Sequence, residues 1–330
     1  MSSRIRTRRA LLHAMVASAL APLASFAQQQ PAKIPRIGFL GQTTAAGAAS
    51  RLAAFQAGLR DLGYVEGKSI LIDYRWAEGD YSRLPELAAE LVQIKVDIIV
   101  THGTQGSLAA KRATTTIPIV IAAVADALGA GIVTNLARPG GNITGSSFFH
   151  TELLAKRMEL IKEAVPRITK VAYLRNSRNP EGSALPAMQI AAKALKLDVQ
   201  LFLVRGPDEF GDAFASMAKK RLSALVIPDD SVLVAHLKTL ADLVMKQRIF
   251  AAGSSEFAEA GALLGYGANV PELFRRAAYF IDKILKGTKP GDIPVEQPIS
   301  FELVVNMKTA KALGISIPQS ILGRATKVIE

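Results

Sequence analysis

Short polar side chains recur where apolar runs of the sequence end. Gln42-Thr43-Thr44 follows IGFLG at 37–41, His102-Gly103-Thr104-Gln105 follows DIIVT at 97–101, and Ala125-Asp126 follows IVIAAV at 119–124. Further on, Asn176-Ser177 follows VAYLR at 171–175, Asp229-Asp230-Ser231 follows ALVIP at 224–228, and Ser254-Ser255-Glu256 follows IFAAG at 249–253. Groups this short hydrogen-bond without filling the space beside them. In parallel α/β sheets, ligands lie outside the carboxyl ends of the strands, against helix N-termini whose free N–H groups favour anions. These loops suit a small zwitterion or organic acid. Hydroxyls and backbone N–H groups would hold a carboxylate, and Asp229 or Asp126 an ammonium. Every Ser, Thr and Asn here has a second role open to it. Each is an ordinary helix N-cap, contributing roughly 1 kcal/mol, and capping is the commoner role.

Other chemistries lack their residues. There is no Cys, which excludes a thiol nucleophile, a Cys-ligated metal and a disulfide framework. The four His do not cluster with Asp or Glu at metal-ligand spacing, and His102 stands alone after its strand. No G-x-S-x-G elbow, P-loop or G-x-G-x-x-G is present, and Gly38, Gly41 and Gly47 are too widely spaced for a dinucleotide fingerprint. No metal, cofactor or catalytic residue is expected. Trp76 ends a strand whose Ile70, Ile72 and Tyr74 share its face, so packing suits it better than contact with a ligand.

The elements that would carry these loops alternate. Apolar runs bounded by Gly or Pro predict strands at 36–41, 69–76, 96–101 and 117–124, with an extended run at 143–149. Helical spacing, for example Leu52, Phe55, Leu59 and Leu62, predicts helices at 48–62, 81–92 and 105–114. The pattern restarts with helices at 151–165, 182–195, 207–220 and 232–247 and strands at 170–176, 199–204, 224–228 and 249–252. A strand at 262–268, a helix at 271–285, a strand at 301–305 and a short helix at 308–313 follow. Two successive βαβα series imply an α/β fold of two doubly wound lobes with mainly parallel sheets.

The N-terminus carries an export signal by its pattern. Arg4, Arg6, Arg8 and Arg9 precede an Ala-rich apolar stretch at 10–24, and Ser25-Phe26-Ala27 supplies small residues for cleavage near Ala27. Both the Sec and the twin-arginine routes fit. The chain of 330 residues has 40 Lys and Arg against 28 Asp and Glu, but residues 1–27 remove four Arg and no acid. There is no run of five basic residues, and one Trp and six Tyr leave few platforms for stacking bases, so nucleic acid is not expected as a partner.

Specific stretches carry a family likeness. LGYVEGKSILIDYRWAEGDYSRLPELAAELV at 62–92 and LARPGGNITG at 136–145 resemble segments of the tryptophan-binding (TrpX-like) group of ABC-transporter substrate-binding proteins. YGAN at 266–269, KILKG at 283–287, IPVEQP at 293–298 and FELVVNMKTAKALGISIP at 301–318 match its C-terminal block. The resemblance runs in order along the chain after the signal. It departs at Ala268, where this group often carries proline.

The resemblance implies a type I periplasmic binding protein: two Rossmann-like α/β lobes joined by three crossover segments. Lobe one would hold 34–147 and 262–292, and lobe two 151–256 and 300–330. The crossings would lie near 146–150, 256–264 and 293–300. Phe148, Phe149 and Tyr266 then fall on crossings, where an aromatic wall could face the cleft or simply pack the hinge. The candidate ligand contacts are Gln42, Thr43, Thr44, Gly103, Thr104, Gln105, Asp126, Phe148, Asn176, Asp229, Ser231, Ser254 and Tyr266. The implied function is that of a periplasmic, monomeric, non-enzymatic protein. It would capture a small organic solute, an amino acid or aromatic acid, by hinge closure and deliver it to an inner-membrane ABC permease. Two alternatives share the topology. A nucleotide-sugar or dinucleotide enzyme lacks its phosphate loop here, and a ligand-sensing repressor lacks a helix-turn-helix before the first strand.

Overall fold

The computed structural model describes residues 33–148, 150–179 and 184–330. The expected signal at 1–27, Phe149 and the start of the helix expected at 182–195 lie outside them. In the first lobe, β1 (Arg36–Gly41), β2 (Leu71–Trp76), β3 (Ile98–Thr101), β4 (Ile119–Val124) and β5 (Ile143–Ser147) alternate with α1 (Ala49–Asp61), α2 (Leu84–Gln93) and α3 (Gly103–Ala113). The strands form one parallel sheet in the order β2-β1-β3-β4-β5. Helices cover both faces of such a sheet, so its inner strands are apolar throughout. The six residues of β4, IVIAAV, are all buried.

Helix α3 begins at Gly103, two residues before the sequence expectation. Gly103 has φ +62, and a Cβ there would stand 2.5 Å from Gln42 Nε2. The chain leaves β3 through a left-handed residue pressed against Gln42, a combination that glycine accommodates.

The second lobe contains α4 (His150–Ala164), β6 (Lys170–Asn176), α5 (Ala184–Ala194), β7 (Asp198–Val204), α6 (Phe210–Lys219) and β8 (Ala224–Val226). Next come α7 (Ser231–Val234), α8 (Leu237–Lys246), β9 (Phe250–Gly253), α9 (Ser255–Ala260) and β10 (Leu264–Gly267). Helix α10 (Val270–Leu285) precedes β11 (Glu302–Asn306), α11 (Met307–Leu313), α12 (Gln319–Leu322) and β12 (Lys327–Ile329). The second sheet runs β12-β11-β10-β9-β8-β6-β7. The single helix expected at 232–247 is two, because the short α7 ends before His236.

One boundary differs from the expectation. The resemblance implies that residues 262–292 belong together to lobe one, yet β10 pairs in parallel with β9 and antiparallel with β11, inside the second sheet. Only α10 returns to the first lobe, where Phe274, Ala277, Ala278 and Ile281 join Phe39, Phe55 and Ile98 in one core. The second crossing therefore lies at Ala268-Asn269 rather than at 256–264. An apolar run fixes a strand but not its neighbours, so periodicity could not assign β10 to a sheet. The third crossing is tied to β5 by backbone bonds from Ser147 N to Glu296 O, 2.9 Å, and from Glu296 N to Gly145 O, 2.8 Å. Among the described residues no helix is long and apolar enough to cross a membrane.

Candidate functional site: a cavity between the lobes

The carboxyl ends of the two sheets meet across a narrow cavity. Gln42, Arg51, His102, Gly103 and Thr104 line it from the first lobe, and Asn179, Asp229, Asp230 and Ser231 from the second. Ala123, Ala125, Phe148, Val270 and Phe274 complete it. The lining therefore combines charged and hydrogen-bonding side chains with apolar ones, two of them aromatic.

On the first lobe, His102 is 3% exposed. Its ring centroid lies 6.3 Å from that of Phe39 and 5.3 Å from that of Phe274. Burial, reinforced by the charge of Arg51, lowers its pKa to about 3, so the imidazole is neutral near pH 7. Its Nε2 accepts from the Gln42 N–H at 3.4 Å, and Nδ1 lies 3.4 Å from Ser231 Oγ. Gln42 Nε2 donates to the His102 carbonyl at 2.5 Å, pinning β1 to the start of α3. Arg51, on α1, donates from Nη2 to Glu256 on α9 at 2.7 Å.

On the second lobe the two neighbouring aspartates have different partners. Arg157 is completely buried and donates from Nη2 to both oxygens of Asp229, at 2.8 and 3.1 Å. The same guanidinium donates to the Tyr266 and Ile227 carbonyls, at 2.8 and 3.0 Å. Asp229 is thus an ion-paired carboxylate held against the cavity. Asp230 caps α7, accepting from Val232 N at 2.9 Å and Leu233 N at 3.3 Å. Asn176 and Asn179 donate to it at 3.2 and 3.0 Å, and Tyr81 Oη at 3.2 Å. Burial raises its carboxyl pKa in spite of these donors.

Several of these bonds join one lobe to the other. Tyr81 with Asp230, Arg51 with Glu256, and Gln105 Nε2 with Asn179 Oδ1 at 3.4 Å all cross the cleft. Arg178 reaches Asp80 at 3.7 Å nearer the surface. The lobes are closed on each other.

Six of the expected contacts come together here: Gln42, Gly103, Thr104, Phe148, Asp229 and Ser231. Gln105 spans the cleft beside the cavity, and Asn176 stands behind the wall, holding Asp230. The others are placed elsewhere. Thr43 and Thr44 line a separate groove with Gly47, Val232 and Ala235. Asp126 is exposed and accepts from Gly129 N at 2.8 Å, closing a local turn. Ser254 is a buried residue at the start of α9, and the Tyr266 ring stacks on Phe301 at 6.0 Å. Trp76 packs as expected, stacked on Tyr74 at 6.0 Å, with its ring filling the space a Cβ on Gly41 would need.

Arg51, Asn179, Val270 and Phe274 were not among the expected contacts. Arg51 left a signal. It stands four and eight residues before Phe55 and Leu59, on the buried face of α1. Among the described residues no group of three His, Cys, Asp or Glu could hold a metal ion. The arrangement can enclose a small molecule that is charged at one part and flat and apolar at another.

Comparisons with known proteins bear on the family and the fold. The model of a family described as ABC transporter substrate binding protein matches residues 45–329. A tyrosine-binding protein of Clostridioides difficile (strain R20291) is 30% identical over 257 residues, covering 77% of this chain and 74% of the relative. A Streptococcus pneumonia ABC domain solved with L-Trp superposes with a TM-score of 0.80 at 28% identity, covering 89% of this chain and 100% of that one. The ligand-free, open structure of a Clostridium difficile substrate-binding protein with adhesive properties gives 0.62 at 25% identity, covering 90% and 99%. The fold is that of the type I periplasmic binding proteins.

Proposed function

The chain belongs to the ABC transporter substrate-binding proteins, and from that premise we propose that it captures an aromatic amino acid between its lobes and delivers it to a membrane permease. The members it matches are binding proteins, and the chain is not an enzyme. The observation that carries the ligand assignment is the mixed polar and aromatic lining of the cavity. Thr104, Asp229 and Ser231 offer charged and hydroxyl groups, and Phe148, Val270 and Phe274 apolar surface. Asp229 is ion-paired, yet among the described residues each of its oxygens receives only the Arg157 bond and keeps acceptor capacity for an ammonium. The ring would lie against Phe148 and Phe274, where burying an aromatic side chain contributes about 3 kcal/mol. The tyrosine- and tryptophan-binding relatives support the same class of solute.

Capture works through differential contact. A solute touching both lobes interacts fully only with the closed form, so it shifts the population toward closure. The higher TM-score with the L-Trp complex than with the open, ligand-free protein supports a closed form here. The N-terminal pattern supports work outside the cytoplasm, and membership of the family supports a permease as the partner. A thermal-shift screen of the 20 amino acids and aromatic acids, followed by calorimetry, tests the assignment. Tyrosine, tryptophan or phenylalanine should raise Tm and bind one to one. A response to polar or branched-chain amino acids alone would refute the aromatic assignment.

A further inference from the structure

Arg51 lines the cavity and carries an unused donor. The residue is 7% exposed, and its Nε is shielded from water with no hydrogen-bond partner among the described residues. A buried N–H without an acceptor is costly, and more so on a cation. The neighbouring acids do not meet the need. Asp229 is paired with Arg157, Asp230 receives five donors, and Glu256 takes Arg51 Nη2. The guanidinium is held over the Phe274 ring, 6.0 Å from its centroid, and lines the same cavity as Thr104 at the start of α3.

We propose that Arg51 Nε binds a carboxylate of the captured solute, making the cavity selective for acids. The proposal rests on the cavity being the solute site and adds a recognition residue to it. A carboxylate at Nε would accept a charge-assisted bond, and the N-terminus of the eleven-residue α3 would favour the same charge. Because Nη2 of the same guanidinium is bonded to Glu256, the solute and the second lobe would be joined through one side chain.

The test uses matched probes measured by calorimetry: L-tyrosine, 3-(4-hydroxyphenyl)propionate, tyramine and the aliphatic acid 4-methylvalerate. The first two should bind the native protein, with tyramine 10- to 100-fold weaker. Arg51→Gln should weaken both acids 10- to 100-fold and erase their advantage over tyramine, and Arg51→Lys should restore part of it. Tyramine binding as tightly as the acids, or an acid preference that survives Arg51→Gln, would overturn the proposal. If only 4-methylvalerate binds and Arg51→Gln abolishes it, Arg51 keeps its role and the aromatic assignment falls. Binding of no acid overturns the proposal. If Arg51→Gln fails to fold, the acid-to-amine ratio of the native protein decides.

Discussion

Tyr81 Oη donates to Asp230 Oδ2 at 3.2 Å, and the two residues belong to opposite lobes. Tyr81 follows β2 and its ring packs into the first lobe's core, while Asp230 caps α7 in the second. The bond exists only when the lobes are closed. A hydrogen bond to a charged group contributes about 1.5–3 kcal/mol, and closure is the step it supports. Tyr81→Phe keeps the ring and removes the donor. Solute affinity should fall at least tenfold, with Tm of the unliganded protein nearly unchanged. Equal affinity by calorimetry would show that the bond does not support closure.

Arg157 joins α4 to the ends of β8 and β10 through Asp229 and two carbonyls. Replacing it with Leu leaves a carboxylate and two carbonyl oxygens without their donor in a buried site. Breaking one side of a buried pair costs about 3–5 kcal/mol. Urea denaturation of Arg157→Leu should show a loss of that size. A loss below about 1 kcal/mol would mean that Asp229 finds water in the folded protein.

His102 gives stability a pH dependence. Its folded pKa is about 3 against an ordinary 6.5, so between those values the unfolded chain binds a proton that the native one refuses. The contribution is complete above about pH 6.5 and is lost as pH falls toward 3. Asp230 acts in the opposite sense, because its raised carboxyl binds a proton more readily in the folded state. The difference between native protein and His102→Gln isolates the imidazole. From pH 7 to pH 5 the variant should lose about 2 kcal/mol less stability than the native chain. Parallel losses would mean that His102 titrates alike folded and unfolded.

The sequence revealed the alternation of strands and helices, since buried parallel strands read as apolar runs and covering helices as 3.6-residue patterns. It also directed attention to the loops after β1, β3, β6 and β8, which contribute Gln42, Thr104, Asn179 and Asp229 to the cavity or its rim. It did not reveal how a polar side chain would be used. Asp126 and Asp229 both follow apolar runs, yet one closes its own turn and the other pairs with Arg157, 72 residues earlier. That choice depends on a long-range partner which local pattern does not encode. Strand β10 was misplaced for the same reason, because its sheet is decided by β9 and β11. Arg51 was legible only in its phase on α1, which a hydrophobicity pattern records as a mismatch.

Small-angle scattering of the protein with and without L-tyrosine or L-tryptophan, at concentrations shown by calorimetry to saturate it, tests hinged capture most directly. Saturation should reduce the radius of gyration and bring the curve into agreement with the closed arrangement in which Tyr81 meets Asp230. A saturated protein whose curve matches that of the free protein would contradict it.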